Sequence, residues 1–235
     1  MQKTLRTARI AVVGASGDIG RAIAVSLMEG GAEVLALGRR FDRLWHDTTA
    51  ARGHAPSILR VDLTNLSAVK DTVQQIGAKG RLDALILAVG IYGRSRDPEE
   101  LRQQMDANVI GPYALTMGLL PLLVDSKGHI ICINSSQALK ASAVVGQYAA
   151  SKHAMKALID SLREEVNGKG VRVSSIYLGR TAGQTQCQLF ATEGRVYRPE
   201  RLIQPTDVAQ MACAILLLGE TAEITDINMR PSLQP

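Results

Sequence analysis

Apolar runs at residues 9–13, 33–37, 57–61, 83–88, 129–133, 171–177 and 224–229 punctuate the chain from end to end. Each is short and bounded by polar or glycine-rich sequence, the pattern of a strand buried on both faces. Between them the apolar positions change to a helical spacing. Ile19, Ile23, Leu27 and Met28, for example, fall on one side of a helix after the first run. Strand and helix alternating in this way predict a parallel sheet with helices on both faces. A long helix is expected over 99–123, bent near Gly111-Pro112 because proline cannot donate to the helical ladder. Another is expected over 148–167, and a further one begins at Pro205-Thr206-Asp207. With no repeat, low-complexity tract or linker, residues 1–235 read as a single α/β domain, a doubly wound parallel sheet of about seven strands.

Residues 181–204 break the alternation. They are polar, with Gln184, Gln186, Gln188, Arg195, Tyr197 and Arg198 around Leu189 and Phe190. The segment reads as a substrate-covering lid or as an ordinary surface connection.

Ligands of such sheets bind at the carboxyl ends of the strands. Gly14, Arg39, Asp62, Gly90, Ser136 and Gly179 each follow a different predicted strand, so they converge on one site. The first strand runs into Gly14-Ala15-Ser16-Gly17-Asp18-Ile19-Gly20 and then a helix. Glycines there allow a tight turn and a close backbone approach to a pyrophosphate at the helix N-terminus. The second strand ends in Gly38-Arg39-Arg40, with no acid. An acid at this place binds the ribose 2′-hydroxyl of NAD, whereas arginine accommodates the 2′-phosphate of NADP. Arg39 and Arg40 therefore favour NADP(H) over NAD(H), unless they merely begin a solvated helix. Asp62, in Asp62-Leu63-Thr64, either accepts from an adenine amino group or caps the next helix, a role open equally to Thr64 and Asn65.

Tyr148 and Lys152 stand four residues apart, on one face of their helix, with Ser136 twelve residues before the tyrosine. A cation beside a phenol favours the phenolate, so such a tyrosine exchanges its proton more readily. A serine alongside could hold a substrate oxygen. This combination moves a proton on or off an alcohol or carbonyl oxygen, and the nucleotide end supplies the hydride partner it needs.

With these motifs in order, the chain resembles the short-chain dehydrogenase/reductases over nearly its whole length. The resemblance implies a Rossmann-like fold and an oxidoreductase acting between nicotinamide and a small-molecule carbonyl or secondary alcohol. It implies Tyr148 as acid/base, Ser136 as the serine positioning the substrate oxygen, and Lys152 as the lysine that binds the nicotinamide ribose and eases loss of the tyrosine proton. Asn108, in Asp106-Ala107-Asn108, is similar to the asparagine that holds a relay water. Contacts to the cofactor are expected from Gly14, Ser16, Gly17, Asp18, Ile19 and Gly20, then from Arg39, Arg40, Asp62, Leu63 and Gly90, and finally from Tyr148, Lys152, Gly179 and Thr181. A homodimer or homotetramer through the helices over 99–123 and 148–167 is also implied.

The pattern departs from the family in several places. Asp18 stands where glycine is common, and a carboxylate there suits the helix but not a nearby phosphate. Leu87-Ala88-Val89-Gly90 replaces Asn-Asn-Ala-Gly, and Leu178 replaces proline. A threonine expected near the nicotinamide amide falls on Gly183, leaving Thr181 or Thr185. The gap from serine to tyrosine is one residue short, so Ser135 stands in reserve for Ser136. Leu87-Ala88-Val89 and Leu178 motivate an alternative, a nucleotide-binding sensor of low activity. Retention of Ser136, Tyr148, Lys152 and Asn108 argues for the enzyme.

Composition narrows the rest. Lys and Arg number 27 against 22 Asp and Glu, a net charge of +5, but the cations are scattered. Aromatics are only 3%. A nucleic-acid surface would show a basic stripe and stacking rings, so none is expected. Cys132, Cys187 and Cys213 form no CxxC pair, which fits a reducing cytoplasm. No run is read as long enough to span a membrane. Lys140 and the lid arginines would favour an anionic substrate.

Overall fold

A computed structural model describes residues 4–41, 45 and 55–233. Seven strands form one all-parallel sheet: β1 (Arg9–Val13), β2 (Glu33–Gly38), β3 (Ser57–Arg60), β4 (Ala84–Leu87), β5 (His129–Ser135), β6 (Arg172–Leu178) and β7 (Asp226–Met229). Their order is β3-β2-β1-β4-β5-β6-β7. Val13 pairs with Leu37 on one side and Leu87 on the other, so the order reverses between β1 and β4. Such a switch point leaves a crevice at the strand ends.

The continuous apolar runs are explained by burial on both faces. Ile10 and Val12 of β1 pack with Ile86, Ile131, Ile133 and Ile176 beneath α1 (Asp18–Glu29) and α7 (Pro205–Leu217). Ala11 and Val13, one position out of step, pack with Leu85, Leu87, Ile130 and Cys132 on the opposite face. There α2 (Leu66–Gly77), α4 (Gly111–Asp125) and α5 (Gly146–Val166) cover them. Each fully buried Leu or Ile is worth about 1.5–3 kcal/mol, so the strands need no alternation of polar and apolar residues.

The segment after β4 differs from expectation in one respect. α3 (Pro98–Met105) passes through a π-helical stretch at Asp106–Ile110 into α4. The irregularity lies before Gly111-Pro112, not at it. Pro112 begins α4, where its missing N–H costs little, but that missing donor is the one Asn108's carbonyl would have used four residues earlier. Together Pro98–Asp125 make one helix of 28 residues, and by length and composition alone it could cross a membrane. The expectation that no run is long enough is corrected accordingly. In this fold 56% of its apolar stretch is buried inside the protein, and Leu115, Leu119 and Leu123 belong to the core beneath the sheet.

Asn65 is the cap of α2: its side chain accepts from the N–H groups of Ser67 and Ala68. Asp62 is thereby released from capping. Residues 181–204 contain α6 (Gln184–Thr192) and build a small apolar cluster of their own, Ala182, Phe190 and Leu202 with Tyr197 against them.

Candidate functional site

Two cavities open along the strand ends, of about 400 and 360 Å3. They share Ala88, Val89, Gly90 and Ile91, the residues that follow β4, and so form one trench across the switch point.

Gly14 and Gly17 floor the first cavity with backbone alone. Gly14 has φ +80°, and a Cβ there would lie 2.5 Å from the Ala88 carbonyl oxygen. Only glycine permits this turn. Ser16 lines the same cavity and packs on Gly38. Gly20 does not face the cavity: a Cβ on it would lie 2.2 Å from the Gly14 carbonyl oxygen, so it brings α1 against the turn. Arg39 lines the cavity beside Asp62, Leu63 and Thr64, whereas Arg40 is exposed and outside its lining. The Asp62 carboxylate accepts from the Thr64 N–H at 3.0 Å and the Thr64 hydroxyl at 2.8 Å. The backbone bond from Thr64 chiefly lowers its pKa; burial opposes this, and the Thr64 hydroxyl and the charge of Arg39 add to the lowering.

Asp18 lines neither cavity. Its carboxylate accepts from the N–H of Gln184, the first residue of α6, at 2.8 Å, and pairs with Arg21 at 3.3 Å. A Cβ on Gly183 would lie 2.4 Å from that carboxylate. The two departures from the family pattern, Asp18 and Gly183, are thus one feature. The carboxylate fills the space of the missing side chain and caps the helix that follows. Its charge is turned to α6 and away from the phosphate turn.

Ser135, Ser136, Tyr148 and Lys152 line the second cavity with Ile19, Gly179 and Thr181. The Ser135 hydroxyl accepts from the Gln137 N–H at 3.2 Å and caps the short turn that follows β5. Ser136 is exposed to the cavity, and among the described residues its hydroxyl has no hydrogen-bond partner. Geometry therefore prefers Ser136. Lys152 is 5% exposed, with Nζ 5.7 Å from the Tyr148 ring centre. A Cβ on Gly90 would lie 2.9 Å from that ammonium nitrogen, so the glycine makes room for it.

Asn108 is buried and outside the lining of both cavities. Its amide donates to the Ile91 carbonyl at 2.9 Å and the Ser151 hydroxyl at 3.0 Å, and its oxygen accepts from the Ile91 N–H at 2.7 Å. The side chain is fully used in bracing the trench floor against α5. Ser151 donates in turn to the Tyr148 carbonyl at 2.8 Å, and Asn134 of β5 donates to the Lys152 carbonyl at 3.2 Å. These two residues fix the backbone under both reactive side chains. Neither has a local motif, so sequence reasoning passed over them.

Other contributors lie far apart in sequence. Tyr92 packs on Tyr148 with ring centres 4.9 Å apart, and Arg94 donates to the Tyr92 hydroxyl at 2.5 Å. Arg94 and Arg180 both bond Glu193, at the end of α6. Burial works against ionisation of Glu193, but hydrogen bonds from Arg180 and Arg94 and their charges outweigh it and hold the carboxyl down at about 2. Lys140, Arg195 and Arg198 lie outside the lining of this cavity. Among the described residues, the cations that reach it are Arg94, Lys152 and Arg180.

Comparison with known proteins decides the family. The sequence model of the short chain dehydrogenases matches residues 8–194. The chain belongs to the short-chain dehydrogenase/reductase family. This is a family of oxidoreductases that bind nicotinamide cofactors. The chain is 34% identical over 207 residues to dehydrogenase/reductase SDR family member 7B of Rattus norvegicus, covering 82% of itself and 64% of the rat protein. It is 34% identical over 176 residues to an uncharacterized oxidoreductase of Myxococcus xanthus, covering 72% of itself and 70% of that protein. Among solved structures, a short chain dehydrogenase of Shigella flexneri complexed with NADP superposes with a TM-score of 0.85 at 28% identity, covering 97% of this chain and 99% of that one. A metagenomic short-chain oxidoreductase in complex with NADP gives 0.83 at 26%, covering 99% of this chain and the whole of its counterpart.

Proposed function

We propose that this protein transfers hydride between NADP(H) and a carbonyl or secondary alcohol, with Tyr148 as acid/base. The observation that carries the reading is the single trench, whose one end is the glycine turn and whose other end holds Ser136, Tyr148 and Lys152.

The residues fit a dinucleotide. Gly14 and Gly17 line the cavity with backbone alone, with the N-terminus of α1 behind them. Asp62 and Leu63 suit the adenine end. Arg39, with no acid at the end of β2, suits a 2′-phosphate and supports NADP(H) over NAD(H). Gly90, Gly179 and Thr181 suit the nicotinamide end. When bound, the nicotinamide supplies or accepts the hydride.

In the reductive direction Ser136 donates a hydrogen bond to the substrate carbonyl oxygen. Tyr148 gives that oxygen a proton as it becomes an alkoxide. Lys152, buried beside the tyrosine, balances the charge left on the phenol oxygen. A water at the Asn108 carbonyl, which Pro112 cannot engage, returns the proton towards Tyr148. Oxidation of an alcohol runs the same path backwards. Segment 181–204 acts as a lid, since Thr181, Thr185, Gln186, Leu189 and Glu193 all line the reacting cavity.

The protein is read as a cytoplasmic homodimer or homotetramer through the helices over 98–125 and 146–166. Exposure of Ile110 and Tyr113 supports this, and light scattering of the purified protein tests it. The enzymatic reading is tested by fluorescence titration with NADPH and NADH, then by a carbonyl and alcohol panel on wild type and Tyr148→Phe. NADPH binding with tyrosine-dependent turnover is expected. Binding without turnover across the panel would favour the sensor.

A further inference from the structure

The substrate end of the trench is charged in an unequal way. Its lining contains three cations, Arg94, Lys152 and Arg180, and one anion, Glu193. Lys152 is committed to Tyr148. The other two come from separate segments, Arg94 from the loop after β4 and Arg180 from the turn after β6, and converge on one point. That point is occupied by the Glu193 carboxylate. Arg180 Nη2 lies 2.9 and 3.0 Å from its two oxygens, and Arg94 bonds one of them. Both guanidiniums are held from behind. Arg94 donates to the Tyr92 hydroxyl at 2.5 Å, and Tyr92 packs on Tyr148. Arg180 lies over the Phe190 ring at 4.8 Å and donates to Gln186 at 3.3 Å. The pair is therefore shaped for a carboxylate, within the cavity that holds the proton-transfer groups.

We propose that the substrate carries a carboxylate, and that Arg94 and Arg180 receive it in place of Glu193. This names a substrate class for the reductase reading and rests on it. Glu193 is an internal competitor, fixed at the end of the lid helix. Arg195 lies 3.5 Å from its second oxygen, outside the cavity lining, and offers the displaced carboxylate a partner. Exchange leaves both guanidiniums paired, which matters because an unpaired guanidinium in a partly desolvated site is costly. It also ties recognition to chemistry, since Arg94 reaches Tyr148 through a single ring, that of Tyr92. A neutral ketone would leave Glu193 in place and gain nothing from the two arginines.

The test compares matched pairs. Acetoacetate and levulinate are titrated calorimetrically against their methyl esters into wild-type protein saturated with NADP+, where a ketone binds without reacting. At least one acid is expected to bind about ten-fold or more tightly than its ester, as charge-assisted pairing to two guanidiniums requires. Arg94→Gln and Arg180→Gln should each erase that preference. Glu193→Gln should strengthen binding of the acid roughly three- to ten-fold and leave the ester unchanged, because the competitor is gone while the arginines stay. A merely structural Glu193 would do the reverse. Equal binding of acid and ester, binding of neither, or weaker acid binding in Glu193→Gln overturns the proposal. Turnover of neutral ketones by wild type is read separately. Turnover with no acid preference removes the carboxylate site and keeps the reductase. Acid binding through the arginines with no turnover removes the reductase and keeps the site.

Discussion

The proposed proton-transfer cluster and the segment proposed as its lid, residues 181–204, line the same cavity but are built in opposite ways. Tyr148 and Lys152 stand on α5, their carbonyls held by Ser151 and Asn134, which are buried and neutral. Such bonds are insensitive to salt and pH, and the helix beneath is packed into the core through Met155, Ile159 and Leu162. Only Leu189 and Phe190 of α6 are buried. The lid is secured at its two ends by charge: Asp18 on the Gln184 N–H, Arg94 and Arg180 on Glu193. Reactive groups need a fixed geometry, whereas a cover over the substrate needs contacts that can be exchanged. The contrast predicts that changes in the first region remove chemistry, and changes in the second alter selectivity and stability.

The largest effect is expected from Tyr148→Phe. Loss of the acid/base should lower kcat by about 10³-fold, while the dissociation constant for NADPH, measured by fluorescence, stays within about three-fold because the nucleotide end is untouched. Turnover near wild type would take Tyr148 out of its role. Next comes Arg39→Asp at the far end of the trench. A carboxylate facing a 2′-phosphate should weaken NADPH by roughly 10–100-fold and leave NADH little changed. An unaltered ratio of the two affinities would detach Arg39 from cofactor choice.

The proton-transfer region was also the legible one. Tyr148, Lys152 and Ser136 announce themselves by residue type and spacing, and a site at the strand ends follows from the alternation of buried runs with helices. Local sequence cannot show how many groups a side chain already satisfies. Asn108 is spent on Ile91 and Ser151, and Asp18 on Gln184, 166 residues away. The lid clamp was illegible for the same reason. Arg94 and Glu193 are 99 residues apart, and no periodicity joins them. Arg195 and Arg198 lie outside the cavity lining, and the arginines that enter it, Arg94 and Arg180, precede the segment. Leu87-Ala88-Val89 lacks the asparagine amides of the family pattern. In the fold Ala88 donates to the Val13 carbonyl at 2.9 Å, and Ala88 and Val89 pack against opposite faces of the core, so apolar contact replaces the asparagine amides.

Smaller effects test the joint between the two regions. Gly183 has φ +151°, and a Cβ there meets the Asp18 carboxylate. Gly183→Ala should cost about 1–3 kcal/mol through strain and clash, lowering Tm by roughly 2–12 °C. Adding Asp18→Gly should recover part of that loss, the part due to the carboxylate. If Gly183→Ala is equally costly in both backgrounds, the two positions are independent, and their joint departure from the family pattern is coincidence.

The smallest effect concerns the charge that secures the other end of the lid. The Glu193 carboxyl titrates at about 2 in the folded chain against an ordinary 4.5. The unfolded chain therefore takes up this proton at a higher pH than the folded one does. Stability from the pair is fully present above about 4.5 and is lost as pH falls towards 2. Glu193 and both arginines are partly exposed to solvent, so the contribution is of order 1 kcal/mol, or roughly 2–4 °C in Tm. Wild type should exceed Glu193→Gln by that margin from pH 6 to 9, and the margin should close below pH 4.5. A margin unchanged at pH 3 would mean that Glu193 secures the segment by shape, and the contrast between reactive groups braced by neutral, buried residues and a charge-held cover would fail at its clearest point.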